Sequence, residues 1–497
     1  MPHITIIGGG IAGLATAYYL QKKSGESGIP FSYSLIESAP RLGGKIVTDQ
    51  VGNFIIEGGP DSFITQKPWA THLCRELGLA DRLIPTNDER RNIYVLSKGK
   101  LVPFPGGYRL TVPTEFIPFA LSPLISPLGK LRMGLDLVIP PRRERSDESL
   151  ADFIRRRLGA EALDKIAGPV MAGIYVADPE RLSLLSTFPM FAEMEQKYGS
   201  LIKAMRASKK PTALNSAHNH NGAGPSGGQR SAVGGPSSMF TSLRGGMQEL
   251  IEALAAQLQG DLRLGSRVTG LRRLSPGFEV TLDSSRTLQT DAVVMATPAY
   301  TAAGLLEPIE PRLATLLRQI RYVSTATVSL GYRRADLPTD LNGFGFMVPK
   351  SESRQILACT WSSTKFDHRA PADAALLRLF VGGDTKEHLV ETLRDEELFA
   401  LAQTELKAIM GITTPPVVQR IFRWPKGNAQ YDVGHLDRVA EMEQLAAAIP
   451  GLYLTGSAFR GIGLPDCIKS ALTTVEGLMS QVQRLNVERY SPQGNAH

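Results

Sequence analysis

Cysteine is scarce in this 497-residue sequence, which contains only Cys74, Cys359 and Cys467, far apart along the chain. Without a C-x-x-C pair, the sequence excludes a disulfide-stapled scaffold and a zinc or iron–sulfur site built on thiolates. Free cysteines are typical of a reducing compartment, and the N-terminus opens directly into a strand pattern with no signal peptide ahead of it. We therefore expect a cytoplasmic protein.

Long hydrophobic runs are also missing, because no stretch approaches the roughly 20 apolar residues that a membrane-spanning helix needs. The nearest, Phe116 to Gly129, is uncharged but interrupted by Pro118, Pro123 and Pro127. Lining of an apolar cavity, or packing in a core, accounts for such a stretch. Weak contact with a membrane surface is the alternative, so peripheral membrane association stays open.

The sequence has no dense basic run either. Its 55 basic and 48 acidic residues leave a net charge of +7 and a pI of about 9.2, spread along the chain. A diffuse excess of this kind indicates a solvated surface or an anionic small ligand. Since the basic stripe of a nucleic-acid-binding protein is absent, we expect no nucleic-acid partner.

Large apolar residues almost disappear between positions 207 and 238, where Gly, Ser, Pro and Asn dominate. Such a segment cannot bury enough surface to offset the entropy lost on ordering. We predict a disordered Gly/Ser/Pro-rich insertion. His218 and His220 lie within it, but no rigid third ligand accompanies them, so we interpret both as solvated and predict no metal site.

A glycine fingerprint follows the first apolar strand. Gly8-x-Gly10-x-x-Gly13 lies between the strand "ITII" and a predicted helix, and Glu37 ends the next predicted strand. In this pattern the first glycine permits a tight turn, the second lets backbone amides reach a pyrophosphate, and the third lets helix and strand pack closely. The acidic residue binds ribose hydroxyls. The pattern predicts a dinucleotide site, the alternative being a glycine-rich turn without a ligand.

A second cationic glycine turn follows Glu37, where Arg41 and Lys45 bracket Gly43-Gly44. It is similar to the E-x-x-x-R-x-G-G pattern of flavoproteins in the monoamine oxidase and phytoene desaturase superfamily. The resemblance implies FAD as the cofactor. It also implies an α/β fold, mixed α+β in detail, with a Rossmann-like FAD-binding domain interleaved with substrate-binding and helical subdomains.

Near the other end of the chain, "TGSAFRGIGLPDCIKSALTTVEG" carries another strand–glycine–helix pattern, from Thr455 to Gly477. In that superfamily the chain returns here and places a helix N-terminus beside the flavin ring. The helix dipole would favour the anionic reduced flavin by a few tenths to about 2 kcal/mol. We expect Asp466 and Cys467 to start this helix, and the two glycine turns to hold opposite ends of one cofactor.

Further stretches narrow the family. "IIEGGPDSF", "GPVMAGIYVADPERLSLLSTFP", "RWPKGNAQYDVGH" and "GIGLPDCIKSA" together resemble the protoporphyrinogen and coproporphyrinogen oxidases. "ACTWSSTKFDHRAP" looks most like the soluble bacterial coproporphyrinogen III oxidases. The resemblance implies cofactor contacts at these positions of the present sequence: Gly8, Gly9, Gly10, Ile11, Ala12, Gly13, Glu37, Ser38, Arg41, Gly44, Lys45, Gly59, Pro60, Asp61, Ser62, Val268, Trp424, Ile462, Gly463 and Leu464.

The sequence departs from the family pattern at two informative positions. Ala429 stands where the family commonly has proline before Gln-Tyr, and Ile93 stands where plant-type enzymes place an arginine for a propionate. Arg90, Arg91 or Lys98 are substitutes for that arginine, or are ordinary solvated surface cations.

The implied domain division is discontinuous. Residues 1–88, 239–298 and 416–490 form the FAD-binding domain, 89–206 a helical subdomain covering the substrate cavity, 207–238 the insertion, and 299–415 the substrate-binding domain.

The reaction implied by the resemblance is a six-electron oxidation of a porphyrinogen in haem biosynthesis. Ring-bridging carbons would release hydride to the flavin, which O2 reoxidises with release of hydrogen peroxide. No Ser/His/Asp or metal constellation competes with this chemistry, which belongs to the cofactor. The cavity candidates are Gly173, Ile174 and Tyr175, for which ordinary helix packing is the alternative.

Several alternatives stay open at this point. The substrate is coproporphyrinogen III by overall resemblance, with protoporphyrinogen IX the alternative. Another flavin oxidase of the same fold fits too, either a carotenoid desaturase or an amine oxidase with Trp424 and Tyr431 as its aromatic pair. A non-catalytic FAD-binding protein is a further alternative. A haem-pathway enzyme is the protein partner we would expect.

Overall fold

The computed structural model of this protein describes residues 1–105, 121–209 and 238–490, together with the strand backbone at 108–109 and 112–113. Two sequence predictions fall wholly or partly outside the described residues. They are the disordered insertion, of which positions 210–237 are not described, and the apolar stretch that begins at Phe116.

The described chain contains both strands and helices, some alternating and some in runs of one kind. The strands are β1 (His3–Ile7), β2 (Ser32–Ile36), β3 (Thr48–Val51), β4 (Phe54–Glu57), β5 (Phe63–Ile64), β6 (Leu83–Pro85), β7 (Ile93–Ser97), β8 (Lys100–Pro103), β9 (Tyr108–Arg109), β10 (Val112–Pro113), β11 (Phe240–Leu243), β12 (Asp261–Arg263), β13 (Val268–Arg273), β14 (Phe278–Leu282), β15 (Thr287–Thr290), β16 (Ala292–Met295), β17 (Tyr322–Arg333), β18 (Gly345–Met347), β19 (Ile356–Trp361), β20 (Ala374–Gly382), β21 (Val418–Ala429) and β22 (Leu452–Leu454).

The α-helices are α1 (Ile11–Ser27), α2 (Trp69–Glu76), α3 (Pro127–Gly134), α4 (Leu150–Arg157), α5 (Ala160–Ala162), α6 (Gly168–Tyr175), α7 (Leu184–Thr187), α8 (Pro189–Tyr198), α9 (Leu201–Lys209), α10 (Gln248–Gln257), α11 (Ala299–Leu306), α12 (Pro311–Arg318), α13 (Ser362–Lys365), α14 (Glu387–Thr392), α15 (Asp395–Met410), α16 (His435–Ala447) and α17 (Leu464–Tyr490). Among these described elements, no helix combines the length and the apolar character needed to cross a bilayer.

One of the two largest sheets has five parallel strands in the order β12-β2-β1-β16-β22, drawn from both ends of the chain. Its central strands are apolar on both faces, as expected of a parallel sheet covered on both sides. Val293 packs towards β14, whereas Val294 packs towards α1 and α17. The sheet is therefore the middle layer of three, and its carboxyl edge is the place where α/β folds bind ligands.

The other large sheet has seven strands in the order β21-β17-β20-β19-β18-β7-β8. Its neighbours are antiparallel except β18 and β7, which run parallel. The two longest strands, β17 and β21, pair side by side, and α15 packs Leu398 and Leu406 into the buried core of this sheet.

Two segments differ from what the sequence patterns indicate. Residues 93–103 form the hairpin β7–β8, whereas the sequence predicts a helical subdomain over 89–206. The reason is tertiary, since β7 pairs with β18 from the middle of the chain. Strand β21 joins the seven-stranded sheet, whereas the sequence assigns it to the FAD-binding domain. The domain division itself stays a prediction.

Helices α3 to α9 form the helical layer between residues 127 and 209, around a core that includes Phe153 and Phe191. At its centre, the fully buried Arg157 guanidinium donates to Asp136 Oδ1 at 2.6 Å. A buried charge is tolerated only when it is paired and hydrogen-bonded, as this one is.

Candidate functional site

The parallel sheet brings the two glycine turns to one edge. β1, β16 and β22 are neighbours and run parallel, so the loops that follow them leave from the same side. Adjacent strands lie about 4.8 Å apart, which places the ends of β1 and β22 about 10 Å from each other. A Cβ on Gly456 would lie only 3.7 Å from the Cβ of Ala12. The N-terminal turn and the loop leading to α17 therefore face a shared cleft.

The N-terminal turn is held in shape by Glu37. Its carboxylate accepts the backbone N–H of Gly9 through Oε2 and that of Ala39 through Oε1, both at 2.7 Å. Ser38 donates its hydroxyl to the same carboxylate at 3.2 Å. The predicted ribose-binding acid thus also positions the backbone that would bind a pyrophosphate.

The start of α1 has the properties of an anion site. Gly10 is its N-cap in an extended conformation, and within the described part of the chain no side chain caps the first turn. A Cβ at Gly10 would meet open space, whereas a Cβ at Gly13 would lie 1.9 Å from the carbonyl oxygen of Gly8. Unsatisfied N–H groups beside open space fit the phosphate of a dinucleotide.

The cationic turn after Glu37 lies against the first one. The Arg41 guanidinium donates to the carbonyl oxygens of Leu42, Gly44 and Ile46 at 3.2, 2.6 and 3.1 Å. A Cβ on Gly44 would be 3.3 Å from the Cα of Gly10. Arg41 thus closes its own loop and brings that loop's backbone to the anion site.

Lys45 shows that the space between these turns is a cleft. Its side chain is solvent-accessible, and its ammonium donates to the carbonyl oxygen of Gly427 at 2.7 Å. Desolvation nevertheless lowers the pKa of Lys45, because the group lies deep between packed elements. An accessible yet desolvated cation lines a deep opening, which fits an extended cofactor.

The turn after β4 contributes a further wall. The Gly58 carbonyl oxygen accepts three hydrogen bonds, from Trp424 Nε1 at 2.9 Å, Thr327 Oγ1 at 3.1 Å and Arg378 Nη2 at 3.2 Å. A Cβ on Gly59 would lie 1.8 Å from the carbonyl oxygen of Lys45, so only glycine fits there. Trp424, predicted to contact the cofactor, therefore supports this turn from the seven-stranded sheet.

The polar side chains after this turn bind each other. Ser62 donates to Asp61 Oδ1 at 2.6 Å, and Lys365 contacts both carboxylate oxygens at 2.9 and 3.1 Å. Burial alone would raise the pKa of Asp61. Lys365, then Arg378, and the Ser62 hydroxyl outweigh burial and hold that pKa well below its usual range.

Sequence reasoning missed the charged residues beneath this wall. Arg378 and Arg369 are buried, and Arg369 lies 3.8 Å from the buried Glu57. A signal was present, because Arg378 interrupts the otherwise apolar strand "AALLRLFVG". An arginine at a core-facing strand position points to a specific buried partner or ligand.

The C-terminal turn carries an ion pair that the sequence did not indicate. Lys67 Nζ binds both carboxylate oxygens of Asp466, at 2.6 and 2.7 Å. The helix α17 begins at Leu464, two residues before the expected start at Asp466. A Cβ on Gly461 would clash with the Asp466 side chain at 2.5 Å, so that side chain folds over the turn.

The remaining predicted contacts lie at two ends of the cleft. Val268 is buried at the start of β13, where Ser266 N–H donates to the carbonyl oxygen of Glu37 at 3.0 Å. Ile462, Gly463 and Leu464 lie at the other end, in the turn that opens α17. Pro60 follows the Gly59 turn, and Ile11 and Ala12 form the first turn of α1.

The cavity candidates end helix α6 beside the C-terminal turn. Ile174 is 49% exposed, and a Cβ on Gly173 would meet open space. Burial first, and then the charge of Asp466, raises the pKa of Tyr175 to about 12. Gly173 and Ile174 therefore face open space near α17, whereas the Tyr175 ring packs against Phe188. Arg90, Arg91 and Lys98 are solvent-exposed on either side of strand β7, which lies between β18 and the edge strand β8.

Over the described residues, no group of three or more His, Cys, Asp and Glu side chains is arranged to hold a metal ion. The uncapped N–H groups at the start of α1, the Lys45 ammonium and the two neighbouring glycine turns instead fit one extended anionic molecule. A parallel sheet with this site at its carboxyl edge defines a dinucleotide-binding protein of the α/β class.

Comparison with known proteins identifies the family. Residues 11–479 match the model for flavin-containing amine oxidoreductases. The coproporphyrinogen III oxidase of Bacillus subtilis is 36% identical over 96% of this chain and 98% of its own. A protein of Exiguobacterium sp. 255-15, whose crystal structure carries a provisional assignment as protoporphyrinogen oxidase, superposes with a TM-score of 0.83 at 32% identity, over 97% and 99% of the two chains.

A redesigned putrescine oxidase shares the fold alone, with a TM-score of 0.68 at 18% identity over 97% of this chain and 99% of that one. The chain belongs to the flavin-containing amine oxidoreductase family. It is an oxidoreductase, and its cofactor is FAD. The sequence prediction of an FAD-binding α/β fold is thereby confirmed. The assignment of individual residues as FAD contacts stays a prediction.

Proposed function

We propose that this protein oxidises coproporphyrinogen III to coproporphyrin III in haem biosynthesis, with O2 as the final oxidant and hydrogen peroxide as the second product. The observation that carries the proposal is the 36% identity to a coproporphyrinogen III oxidase along nearly the whole of both chains. Bound FAD supplies the electron acceptor, and the chain supplies position and a water-poor cleft.

The cleft supports this proposal through its shape and charge. Gly173 leaves room for a flat macrocycle, and the exposed Ile174 offers it an apolar surface. The Lys67 side chain is 42% exposed, so its ammonium has donors left for a propionate although it is paired with Asp466. The proposal assigns binding and orientation to these residues and proton uptake to none of them.

Oxygen uptake by the purified holoenzyme tests the substrate. We expect a higher kcat/KM with coproporphyrinogen III than with protoporphyrinogen IX, and no flavin bleaching by amines under anaerobic conditions. A stronger preference for protoporphyrinogen would reassign the substrate within the class. Bleaching by amines alone would favour an amine oxidase, and a protein that binds FAD but is bleached by neither would be a non-catalytic binder.

We also propose peripheral contact with an anionic membrane surface through α3 and the turn after it. Leu128, Leu131, Leu135 and Val138 recur on one helical face and are 79%, 67%, 44% and 75% exposed. The exposed Arg143 and Arg145 follow closely, and apolar stripes beside cations suit anionic lipid headgroups. The haem-pathway protein partner stays a prediction.

Flotation with vesicles tests this contact. The full chain should float with vesicles containing phosphatidylserine and less with pure phosphatidylcholine, and the Leu128→Ser/Leu131→Ser variant should lose the binding. Val417→Ser is the matched control, since Val417 is 50% exposed but lies before β21. Equal flotation of both variants would overturn the membrane proposal. So would a chain that does not float but forms a dimer in light scattering, if Leu128→Ser/Leu131→Ser abolishes that dimer.

A further inference from the structure

A buried pair of stacked rings lies behind the C-terminal turn. Tyr431 is 2% exposed and His435, the first residue of α16, is fully buried. Their ring centroids are 4.0 Å apart with an angle of 14° between the ring planes. Neither residue belongs to the glycine turns. The sequence places both in the family-like stretch "RWPKGNAQYDVGH" and offers Tyr431 as a member of an aromatic pair.

The polar atoms of both rings bind the same loop. The Tyr431 hydroxyl donates to the carbonyl oxygen of Ser457 at 2.9 Å and accepts the N–H of Gly461 at 2.8 Å. His435 Nε2 lies 2.8 Å from the carbonyl oxygen of Phe459, which can only accept, so this nitrogen carries the proton. Three alternate residues of the loop, 457, 459 and 461, are thus tied to one rigid stack.

The loop needs such ties because its own conformation is demanding. Gly461 has a φ of +148°, a region that residues with a Cβ rarely adopt. Three residues later the chain enters α17, whose N-terminus carries the Asp466–Lys67 pair. A loop of this kind, held only by its two ends, would sample several conformations, and the helix N-terminus would shift with them.

The stack is itself anchored from two other parts of the fold. The carbonyl oxygen of Tyr431 accepts the N–H of Ser183, which begins the helical segment Leu184–Thr187. The neighbouring Asp432 binds Arg321, the residue before β17 of the seven-stranded sheet, and it also binds Arg181, both at 3.0 Å. The helical layer and the seven-stranded sheet therefore hold the rings in position, and the rings hold the loop.

His435 is neutral in this position. Burial lowers its pKa to about 4, although the hydrogen bond to Phe459 acts in the opposite direction. Its Nδ1 has no hydrogen-bond partner among the described residues. Leaving this buried acceptor unpaired costs about 1–3 kcal/mol. What the His435 ring contributes is the hydrogen bond from Nε2 to Phe459 and the stacking on Tyr431.

We propose that the Tyr431–His435 stack is a positioning device for FAD, which fixes residues 457–461 and so keeps the turn at 461–464 and the N-terminus of α17 in place against the flavin. The inference rests on FAD as the cofactor and is independent of which substrate the enzyme oxidises. Tyr431 and His435 act through the loop and touch no reacting atom.

Tyr431→Phe tests this by removing one hydroxyl while keeping the stacked ring. We expect its FAD dissociation constant to rise about tenfold, the worth of one or two lost hydrogen bonds, its flavin reduction potential to fall, and its visible circular dichroism to change. Tyr453→Phe is the matched control, because that hydroxyl binds Gly477 and Gln481 in the middle of the same helix. It should leave all three readouts at wild-type values.

His435→Phe provides a second variant should Tyr431→Phe fold poorly. It keeps a ring in the stack but loses the bond to Phe459, and it should change the flavin potential in the same direction. The double variant should be less than additive, since both residues hold one loop. Wild-type affinity, potential and dichroism in both single variants would overturn the proposal. All readouts use FAD alone, so a failure of porphyrinogen oxidation leaves this test unaffected.

Discussion

Lys67 and Asp466 form a two-oxygen ion pair, at 2.6 and 2.7 Å, although 399 residues separate them in the sequence. The pair joins the segment before α2 to the first turn of α17, directly beside the C-terminal glycine turn. It places a negative charge, partly neutralised by Lys67, at the positive end of the longest helix. The electrostatics of that helix end therefore depend on both residues.

Asp466→Asn should make the end of α17 more positive, since the helix dipole and Lys67 would lose their counter-charge. A positive helix end favours anionic reduced flavin, so we expect the reduction potential to rise by about 10–20 mV, corresponding to roughly 0.5–1 kcal/mol. Potentiometric titration of the holoenzyme measures this. Asp395→Asn removes an acid from the first turn of α15 and should leave the potential unchanged. A potential that stays the same or falls in Asp466→Asn would argue against a flavin beside this helix.

Gly10→Ala and Gly13→Ala should have opposite consequences. A methyl group at Gly10 enters open space, so the apoprotein should fold normally while FAD affinity drops roughly tenfold or more as the pyrophosphate is displaced. A methyl group at Gly13 collides with the Gly8 carbonyl oxygen and should destabilise the fold by about 1–3 kcal/mol. Thermal unfolding of the apoproteins and FAD titration separate the two effects. Normal FAD binding by Gly10→Ala would remove the assigned anion site.

Asp136→Asn should strongly destabilise the helical layer. Asp136 and Arg157 are both fully buried, and Asp136 Oδ2 also accepts bonds from Ser200 Oγ at 2.6 Å and Ile202 N–H at 2.9 Å. The variant leaves the buried Arg157 guanidinium with the longer ion pair to Glu195, at 3.3 Å. Because breaking a buried pair outright costs about 3–5 kcal/mol, we expect a loss at or below the lower end of that range. Urea unfolding followed by tryptophan fluorescence reports the loss. Asp152→Asn, in an exposed pair with Arg155, should unfold close to wild type, and a similar effect in both variants would contradict the assignment.

His435 predicts an acid dependence of stability. Its pKa is 6.5 without perturbation and about 4 when buried in the folded protein, where Arg438 and Arg460 add to the effect of burial and Asp432 opposes them. Between pH 4 and pH 6.5, His435 is protonated in the unfolded chain and neutral in the folded protein. Stability is thus intact above pH 6.5 and falls towards pH 4, by up to about 3 kcal/mol from this group.

The measurement is the difference in unfolding free energy between wild type and His435→Gln from pH 7 to pH 4. The variant should be less stable than wild type at pH 7 but should lose less stability on acidification. Parallel pH profiles of the two proteins would contradict a depressed pKa for His435. Asp61, whose pKa is also depressed, acts at more acidic pH and is common to both proteins.

The local patterns of the sequence were sufficient for the nucleotide-binding end of the fold. The strand at residues 3–7, the glycines at positions 8, 10 and 13 and Glu37 lie within one βαβ unit, where spacing alone dictates geometry. The apolar strand β16 could be predicted for the same reason, because a strand buried on both faces is apolar throughout. The family resemblance then supplied the flavin.

Long-range pairings could not be predicted in this way. The hairpin β7–β8 looks unremarkable in sequence, and it becomes part of the second sheet only because β18 offers it an edge. Arg378 meets Gly58 and Gly59 across more than 300 residues, and Tyr431 meets Gly461 through a phenol hydroxyl that no motif describes.

The sequence by itself determined the class of ligand, since glycines at fixed short spacing expose backbone N–H groups wherever they stand on a strand–helix turn. Only the tertiary structure decided what surrounds that ligand: the ion pair at α17, the charges beneath the Gly58 turn and the ring stack behind residues 457–461. The reason is that a side chain's partner is set by the packing of whole sheets and helices, and no local pattern carries that information.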